Sequence, residues 1–218
     1  MIPIRAHYGL VGRVLELLVA LWLLAAIPAL AADPPRRILA LGDSLTAGYG
    51  LRADEAFPAV LERALLARGH AVRVIDAGVS GDTSAAGRQR LGWVLADRPD
   101  FAIVELGAND GLRALPVEAM RANLDAILTE LKSRGIGVLL AGMKAPANLG
   151  ADYARAFEAV YPELATRHGV LLYPFFLDGV AGDPTLNQPD GIHPTAAGVA
   201  RIVERILPSV ERLIRGVP

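Results

Sequence analysis

From residue 37 to the end of the chain, short apolar runs alternate with longer amphipathic segments. The short runs are rich in branched residues and predict buried β-strands over residues 38–42, 71–78, 101–107, 136–143 and 169–175. The longer segments repeat apolar residues at intervals of three and four, which predicts helices over residues 57–68, 84–97, 117–134, 152–168 and 195–214. Gly69, Gly135 and Gly169 follow three of these helices, where a glycine cap belongs. This alternation predicts an α/β fold, a three-layer α/β/α sandwich around a five-stranded, mostly parallel sheet.

The first 31 residues differ in character from the rest of the chain. Basic residues precede an apolar block at 17–27 (LLVALWLLAAI), and Ala29-Leu30-Ala31 offers a small-residue cleavage site. This order is typical of a secretory signal peptide. We therefore expect residues 1–31 to be removed and residues 32–218 to form one exported domain, periplasmic or secreted, without stable membrane insertion. The alternative is an uncleaved anchor, although the apolar run is shorter than the roughly 20 residues that a membrane span needs.

Composition and charge exclude several classes of function. The chain contains no cysteine, which excludes a disulfide framework, a thiolate nucleophile and a sulfur-ligated metal. Its formal net charge is −1 and it has no basic run of the kind that follows phosphate backbones, so we expect no nucleic-acid partner. Apolar residues make up 53% of the chain, enough for a packed core. We expect a monomer that acts on a small molecule.

Four polar, glycine-rich loops lie where a ligand site belongs in this type of fold. In open parallel sheets, ligands bind beyond the carboxyl ends of the strands, in the loops that lead into the helices. The loops after the first three predicted strands are GDSL (42–45), GVSGDTS (78–84) and GANDGLR (107–113). The fourth, QPDGIHP (188–194), comes late in the chain, before the last predicted helix. We expect all four to meet at one edge of the sheet.

Ser44 is a candidate nucleophile, because the other loops contain the groups that a serine hydroxyl needs for attack. A base must take its proton, and a carboxylate usually orients that base. Among the histidines, His193 lies in a loop with Asp190 three residues before it, whereas His70 and His168 stand at helix ends. The alternative for Asp190 and His193 is a capping pair at the entry to the last helix.

The same loops contain donors for an oxyanion. Gly81 has no side chain to block its backbone N–H, Asn109 offers an uncharged side-chain amide, and the N–H of Ser44 lies at the start of a helix. The alternative, when Gly81 and Asn109 are each considered alone, is that they are ordinary turn residues.

In these four blocks the sequence resembles the SGNH hydrolases, also called GDSL esterases and lipases. The blocks occur in the family's order, and the likeness runs from about residue 38 to the last helix. The resemblance implies a flavodoxin-like fold, Ser44 as nucleophile, His193 as general base and Asp190 as its orienting carboxylate. It also implies an oxyanion hole made by Ser44, Gly81 and Asn109, with no metal and no organic cofactor. Asp43 matches the GDS signature, which implies a structural hydrogen-bonding role.

The exported branch of this family, the thioesterase I, protease I and lysophospholipase group with the bacterial arylesterases, is the most similar. The segment GMKAPANLGADY (142–153) resembles the loop beside the acyl-binding groove in this group. One departure is Ala114, since the group tends to carry glycine after GLR. This departure bears on the turn beside the groove, and so on acyl-length preference, but not on the catalytic residues.

The implied reaction is hydrolysis of carboxylic esters or thioesters through an acyl-enzyme. Apolar positions in the candidate loops suit a fatty acyl chain, or else belong to the core: Leu45, Leu112, Leu115, Pro146, Leu149, Phe175, Leu177 and Ile192. One alternative is a carbohydrate O-acetyl esterase on the same fold, which needs a polar, open groove. Another is a noncatalytic binding module, against which the presence of Ser44, Asp190 and His193 argues.

Overall fold

The computed structural model of the protein describes residues 34–216 together with Arg13. The chain divides into two compact units, Met1–Pro34 and Pro35–Pro218. The signal peptide predicted over residues 1–31 lies, except for Arg13, outside the described residues and stays a prediction. Within the described residues, no helix combines the length and the hydropathy needed to cross a membrane.

A single parallel sheet forms the centre of the second unit. Its strands follow the spatial order β2-β1-β3-β4-β5, and every neighbouring pair is parallel. The bounds are Arg36–Gly42 (β1), Val72–Gly78 (β2), Phe101–Glu105 (β3), Gly137–Ala141 (β4) and Leu171–Tyr173 (β5). Strand β3 is buried along its whole length and β1 from Ile38 onward, as their continuous apolar runs require. The predicted five-stranded α/β sandwich is confirmed.

Residues 34–216 contain seven α-helices. Their bounds are Ser44–Ala47 (α1), Phe57–Ala67 (α2), Ser84–Val94 (α3), Ala108–Leu112 (α4), Val117–Ser133 (α5), Ala151–His168 (α6) and Ala196–Ile214 (α7). Short 3-10 turns occupy Ala53–Glu55, Leu95–Asp97 and Ala147–Leu149. Helix α2 packs against α7, whereas α5 packs against both α3 and α6, which gives the two outer layers. The five predicted helices are confirmed, except that the second continues as a 3-10 turn from Leu95.

The helix boundaries follow local sequence signals. The carboxylate of Asp43, Thr83 Oγ1 and Thr195 Oγ1 accept hydrogen bonds from the first turns of α1, α3 and α7. The three predicted glycine caps have left-handed backbones, with φ of 83° at Gly69, 73° at Gly135 and 59° at Gly169.

Two neighbouring strand ends bring α1 close to the sheet. Gly42 ends β1 and Gly78 ends β2, and the two residues are paired in register. A Cβ at Gly78 would lie 2.4 Å from the backbone nitrogen of Ala47 in α1, so only glycine permits this approach. The close packing fixes α1, and Ser44 at its first position, against the carboxyl edge of the sheet.

Candidate active site

Ser44, His193 and Asp190 form a continuous hydrogen-bonded chain. The distance from Ser44 Oγ to His193 Nε2 is 2.9 Å, and that from His193 Nδ1 to Asp190 Oδ2 is 2.7 Å. Because an ionised carboxylate only accepts, the Nδ1 hydrogen of His193 donates to Asp190, and Nε2 accepts from the serine hydroxyl. This is the arrangement in which a neutral imidazole can remove the proton of Ser44.

A tight turn holds the carboxylate of Asp190 in place. Its Oδ1 accepts the backbone N–H groups of Ile192 at 2.9 Å and His193 at 3.0 Å. Hydrogen bonds from the backbone and side chain of His193, and then from Ile192, lower the pKa of Asp190 to about 2. Asp190 is therefore ionised at neutral pH and stabilises a positive charge on His193.

Tyr49 and Gln188 contact the loop that contains His193 but are not part of the chain from Ser44 to Asp190. The rings of Tyr49 and His193 lie with centroids 4.5 Å apart at an interplanar angle of 35°. Gln188 Nε2 donates to the carbonyls of Tyr49 at 2.7 Å and Pro194 at 3.0 Å, and its backbone N–H donates to the carbonyl of His193 at 2.7 Å. The sequence patterns predict a role for neither residue, although Gln188 begins the fourth quoted loop and Tyr49 lies four residues beyond the first.

Gly81 and Asn109 lie on the same cleft as Ser44. Asn109 Nδ2 donates to Asp43 Oδ2 at 3.0 Å, and its second hydrogen has no hydrogen-bond partner among the described residues. Gly81 has φ of 87°, and its carbonyl accepts from Arg113 Nη2 at 2.8 Å. The structure therefore brings together all five residues that sequence reasoning assigned to the triad and the oxyanion hole.

Two buried carboxyl groups, Asp43 and Glu105, contact the start of α1, the helix that begins at Ser44. Asp43 Oδ1 accepts the N–H of Leu45 at 3.0 Å, and burial raises the pKa of Asp43 to about 6. Glu105 Oε2 accepts from Thr46 Oγ1 at 2.8 Å and from the Asp43 N–H at 3.4 Å, while Oε1 has no hydrogen-bond partner among the described residues. Burial, followed by the neighbouring charge of Asp43, raises the pKa of Glu105 well above its ordinary value. These contacts give Asp43 the structural role that the resemblance implied, whereas Glu105 was missed.

Buried polar contacts tie the loops to one another. Asp110 accepts from Ser84 N at 2.7 Å and from Ser84 Oγ at 2.6 Å, which joins the loops after β2 and β3. Arg90 pairs with Asp82 at 2.6 Å and donates to the Gly42 carbonyl at 2.9 Å, which joins the loops after β1 and β2. The loops that contain Ser44, Gly81 and Asn109 are thus held by a connected network rather than by separate turns.

A cleft of about 800 Å³ opens beside Ser44. Of the apolar groove positions named from sequence, six line it: Leu45, Leu112, Pro146, Phe175, Leu177 and Ile192. Leu115 and Leu149 are not among its lining residues. Leu45 is 4% exposed and also belongs to the hydrophobic core, whereas Leu112 and Ile192 are 50% and 43% exposed at the mouth.

The departure at Ala114 falls on an unusual backbone conformation. Its φ is 49°, in the left-handed region that glycine adopts without strain. The turn is therefore formed with alanine in a conformation that favours glycine, and Tyr153 Oη donates to the neighbouring Leu115 carbonyl at 2.8 Å.

Known proteins share both the sequence blocks and the fold. The chain matches the GDSL-like Lipase/Acylhydrolase family over residues 40–201. It is 39% identical to the esterase TesA of Pseudomonas aeruginosa, over 81% of this chain and 89% of that protein. It is 42% identical to thioesterase 1/protease 1/lysophospholipase L1 of Escherichia coli K12, over 72% of this chain and 74% of that protein. The crystal structure of AlinE4, a SGNH-hydrolase family esterase, matches with a TM-score of 0.70 and 51% identity, covering 84% of this chain and 97% of that chain.

The fold and the matched blocks define a hydrolase that acts on ester bonds. The chain belongs to the GDSL-like lipase/acylhydrolase family of serine esterases. The resemblance inferred from the four sequence blocks is confirmed.

Proposed function

We propose that Ser44 attacks the carbonyl carbon of a fatty acyl ester or thioester to form an acyl-enzyme. The observation that carries this proposal is the chain from Ser44 Oγ through His193 to Asp190, with distances of 2.9 and 2.7 Å. His193 Nε2 takes the serine proton, and the ionised Asp190 stabilises the imidazolium that results. The tetrahedral oxyanion accepts hydrogen bonds from the backbone N–H groups of Ser44 and Gly81 and from Asn109 Nδ2.

The acyl-enzyme forms when the tetrahedral intermediate collapses. The bond from the carbonyl carbon to the leaving oxygen or sulfur breaks, and His193 returns its proton to the leaving group. Water then attacks the acyl carbon while His193 takes a proton from it, and Ser44 leaves with the proton restored. The same donors stabilise the oxyanion in both halves of the reaction.

The walls of the cleft favour a fatty acyl chain over an acetyl group. Met143 lines it together with the six apolar positions already named, which include Phe175 and Leu177. An 800 Å³ cleft is far larger than an acetyl group requires, and its lining is mostly apolar. A carbohydrate O-acetyl esterase, the second candidate, would favour a more polar groove. The names of the relatives, an esterase and a thioesterase 1/protease 1/lysophospholipase L1, agree with the first candidate.

We also propose that the chain is exported and works as a monomer. The basic leader, the apolar block at 17–27 and the small residues at 29–31 support cleavage after residue 31. Sequencing the N-terminus of protein from a periplasmic fraction should find Ala32. A chain that begins at Met1 in the membrane fraction would favour the anchor.

The test is a rate series on p-nitrophenyl esters from acetate to long fatty acyl chains. Ser44→Ala should abolish hydrolysis and block covalent labelling by a fluorophosphonate, while unfolding stays close to that of the parent protein. Ser133→Ala is a matched control, since Ser133 lies on α5 and donates to the Glu130 carbonyl at 2.8 Å. Full activity in Ser44→Ala would remove the mechanism, and a sharp preference for acetate would favour the O-acetyl esterase.

A further inference from the structure

The cleft beside Ser44 carries one fixed charge that the hydrolytic mechanism does not use. Among the residues that line it, Lys144 is the only lysine or arginine, and none is aspartate or glutamate. A positive charge that no lining carboxylate opposes favours an anionic group on a bound ligand.

Lys144 is held by an aromatic ring and not by an ion pair. Its Nζ lies 4.8 Å from the centroid of the Phe175 ring, a cation–π distance. The structure gives Lys144 no hydrogen bond or ion pair with the described residues. The ammonium therefore keeps its three donors for a ligand, while the ring restricts where those donors can lie.

The position of Lys144 allows contact with a part of the substrate that extends away from Ser44. Lys144, Met143 and Phe175 line both the cleft and an adjoining pocket of about 850 Å³. The adjoining pocket is also lined by Arg155, Glu158 and Asp178, whereas no carboxylate lines the cleft itself. Lys144 therefore lies at the junction of the two spaces, and an anionic group of a substrate is favoured on its cleft side.

We propose that Lys144 is a specificity-determining residue that binds a phosphate group on the leaving portion of the substrate. This proposal rests on the esterase activity proposed for the same cleft. A lysine binds phosphate as a point charge with three donors, and esters and thioesters of two kinds present one there. In a lysophospholipid the phosphate lies on the glycerol headgroup, and in an acyl-coenzyme A thioester it lies on the thiol carrier.

Two matched pairs of substrates separate the phosphate from the reacting bond. The first pair is decanoyl lysophosphatidylglycerol and neutral monodecanoylglycerol, both kept below their micelle-forming concentrations. The second pair is decanoyl-coenzyme A and decanoyl-pantetheine, which share the thioester and the pantetheine arm, whereas only the first carries the adenosine nucleotide with its phosphates. For each pair, the measured quantity is the ratio of kcat/KM for the charged substrate to that for the neutral one.

Lys144→Met keeps a flexible, unbranched side chain beside Phe175 and removes the charge. We expect it to lower this ratio about fivefold in at least one pair. An effect of this size is near the upper end of those measured for exposed ion pairs. Lys144→Arg should restore most of the ratio. Lys132→Met is the matched control, because Lys132 lies on α5 and does not line the cleft. Raising the salt concentration should lower the ratio in the parent protein and change it little in Lys144→Met.

The outcomes distinguish this proposal from the one on which it rests. A fall in the first pair alone identifies a lipid headgroup, and a fall in the second pair alone identifies the thiol carrier. Unchanged ratios in both pairs, or an equal fall in Lys132→Met, overturn the role of Lys144 while esterase activity stands. If the parent protein hydrolyses neither neutral substrate nor any p-nitrophenyl ester, the proposed esterase function itself fails.

Discussion

Replacing Glu105 should separate two contributions of one buried side chain, its hydrogen bonds and its ionisation. Glu105 is 1% exposed and ends β3, where its Oε2 accepts from Thr46 Oγ1 at 2.8 Å and from Asp43 N at 3.4 Å. Glu105→Gln keeps an acceptor at this place without the charge. Glu105→Met keeps a similar length and removes both.

The hydrogen bond to Thr46 sets the difference expected between the two variants. In Glu105→Met the Thr46 hydroxyl loses its acceptor in a buried place, which costs about 1–3 kcal/mol in the free energy of unfolding. The longer contact with the Asp43 N–H adds little, because 3.4 Å exceeds the usual hydrogen-bond distance. Glu105→Gln retains the acceptor, so we expect it to be more stable than Glu105→Met. The difference should be smaller than this amount, because the amide nitrogen replaces Oε1, which has no hydrogen-bond partner among the described residues.

Ionisation sets the pH dependence, and its sign follows from the raised pKa of Glu105. The folded protein holds the proton on Glu105 at a pH where the unfolded chain, with an ordinary pKa of 4.5, has released it. Stability is therefore lost as the pH rises from 4.5 towards the folded-state pKa, at up to about 1.4 kcal/mol per pH unit. Glutamine does not titrate, so Glu105→Gln should gain stability relative to the parent protein over that range.

Urea unfolding at several pH values between 4.5 and 8 measures both effects. The free energy of unfolding of Glu105→Gln minus that of the parent protein should rise with pH, and Glu105→Met should lie below Glu105→Gln throughout. A difference between Glu105→Gln and the parent protein that does not change with pH would refute the raised pKa. Equal stability of the two variants would refute the role of the hydrogen bond.

Three further substitutions test the site and its turns. Asn109→Ala should lower kcat roughly 10²- to 10³-fold with little change in KM, and a change in KM alone would contradict the oxyanion role. Gly107→Ala should lower the free energy of unfolding by about 2 kcal/mol or more, because φ is 117° and a Cβ would lie 2.3 Å from Tyr161 Oη. Ala114→Gly should raise it by up to about 1 kcal/mol, because relief of left-handed strain outweighs the entropy of glycine. Urea unfolding measures both, and a stabilised Gly107→Ala or a destabilised Ala114→Gly would contradict these assignments.

The alternation of strands and helices was sufficient to predict the layers and the parallel sheet, but not every element. Helix α4 has five residues, fewer than two turns, so no apolar repeat can reveal it. The last strand was predicted over residues 169–175, yet β5 covers only Leu171–Tyr173. Its extent depends on pairing with Leu139–Ala141 of β4, which no local pattern in the apolar run specifies.

In the site, residue type and loop position were sufficient to predict that Ser44, His193 and Asp190 come together. A serine, a histidine and a carboxylate have few alternative roles once they share one edge of a sheet. The sequence does indicate a special environment for Glu105, because a glutamate inside the buried run FAIVELG is unusual unless it has a partner. No sequence pattern indicates the contact of Arg113, because its hydrogen bond to the Gly81 carbonyl depends on two loops meeting in space.

The two side-chain hydrogen bonds of His193 also differ in how far the sequence can predict them. Its bond to Asp190 closes within three residues, so a single turn is sufficient. Its bond to Ser44 spans 149 residues and depends on how two separate loops are held. Gln188 connects these two loops. Its amide nitrogen donates to the carbonyl of Tyr49, which lies just beyond the end of α1, and to the carbonyl of Pro194, which follows His193. The alignment of Ser44 with His193 thus depends on a glutamine outside their hydrogen-bonded chain. Its two carbonyl partners belong to the backbone, so no sequence pattern marks them and only the fold brings them together.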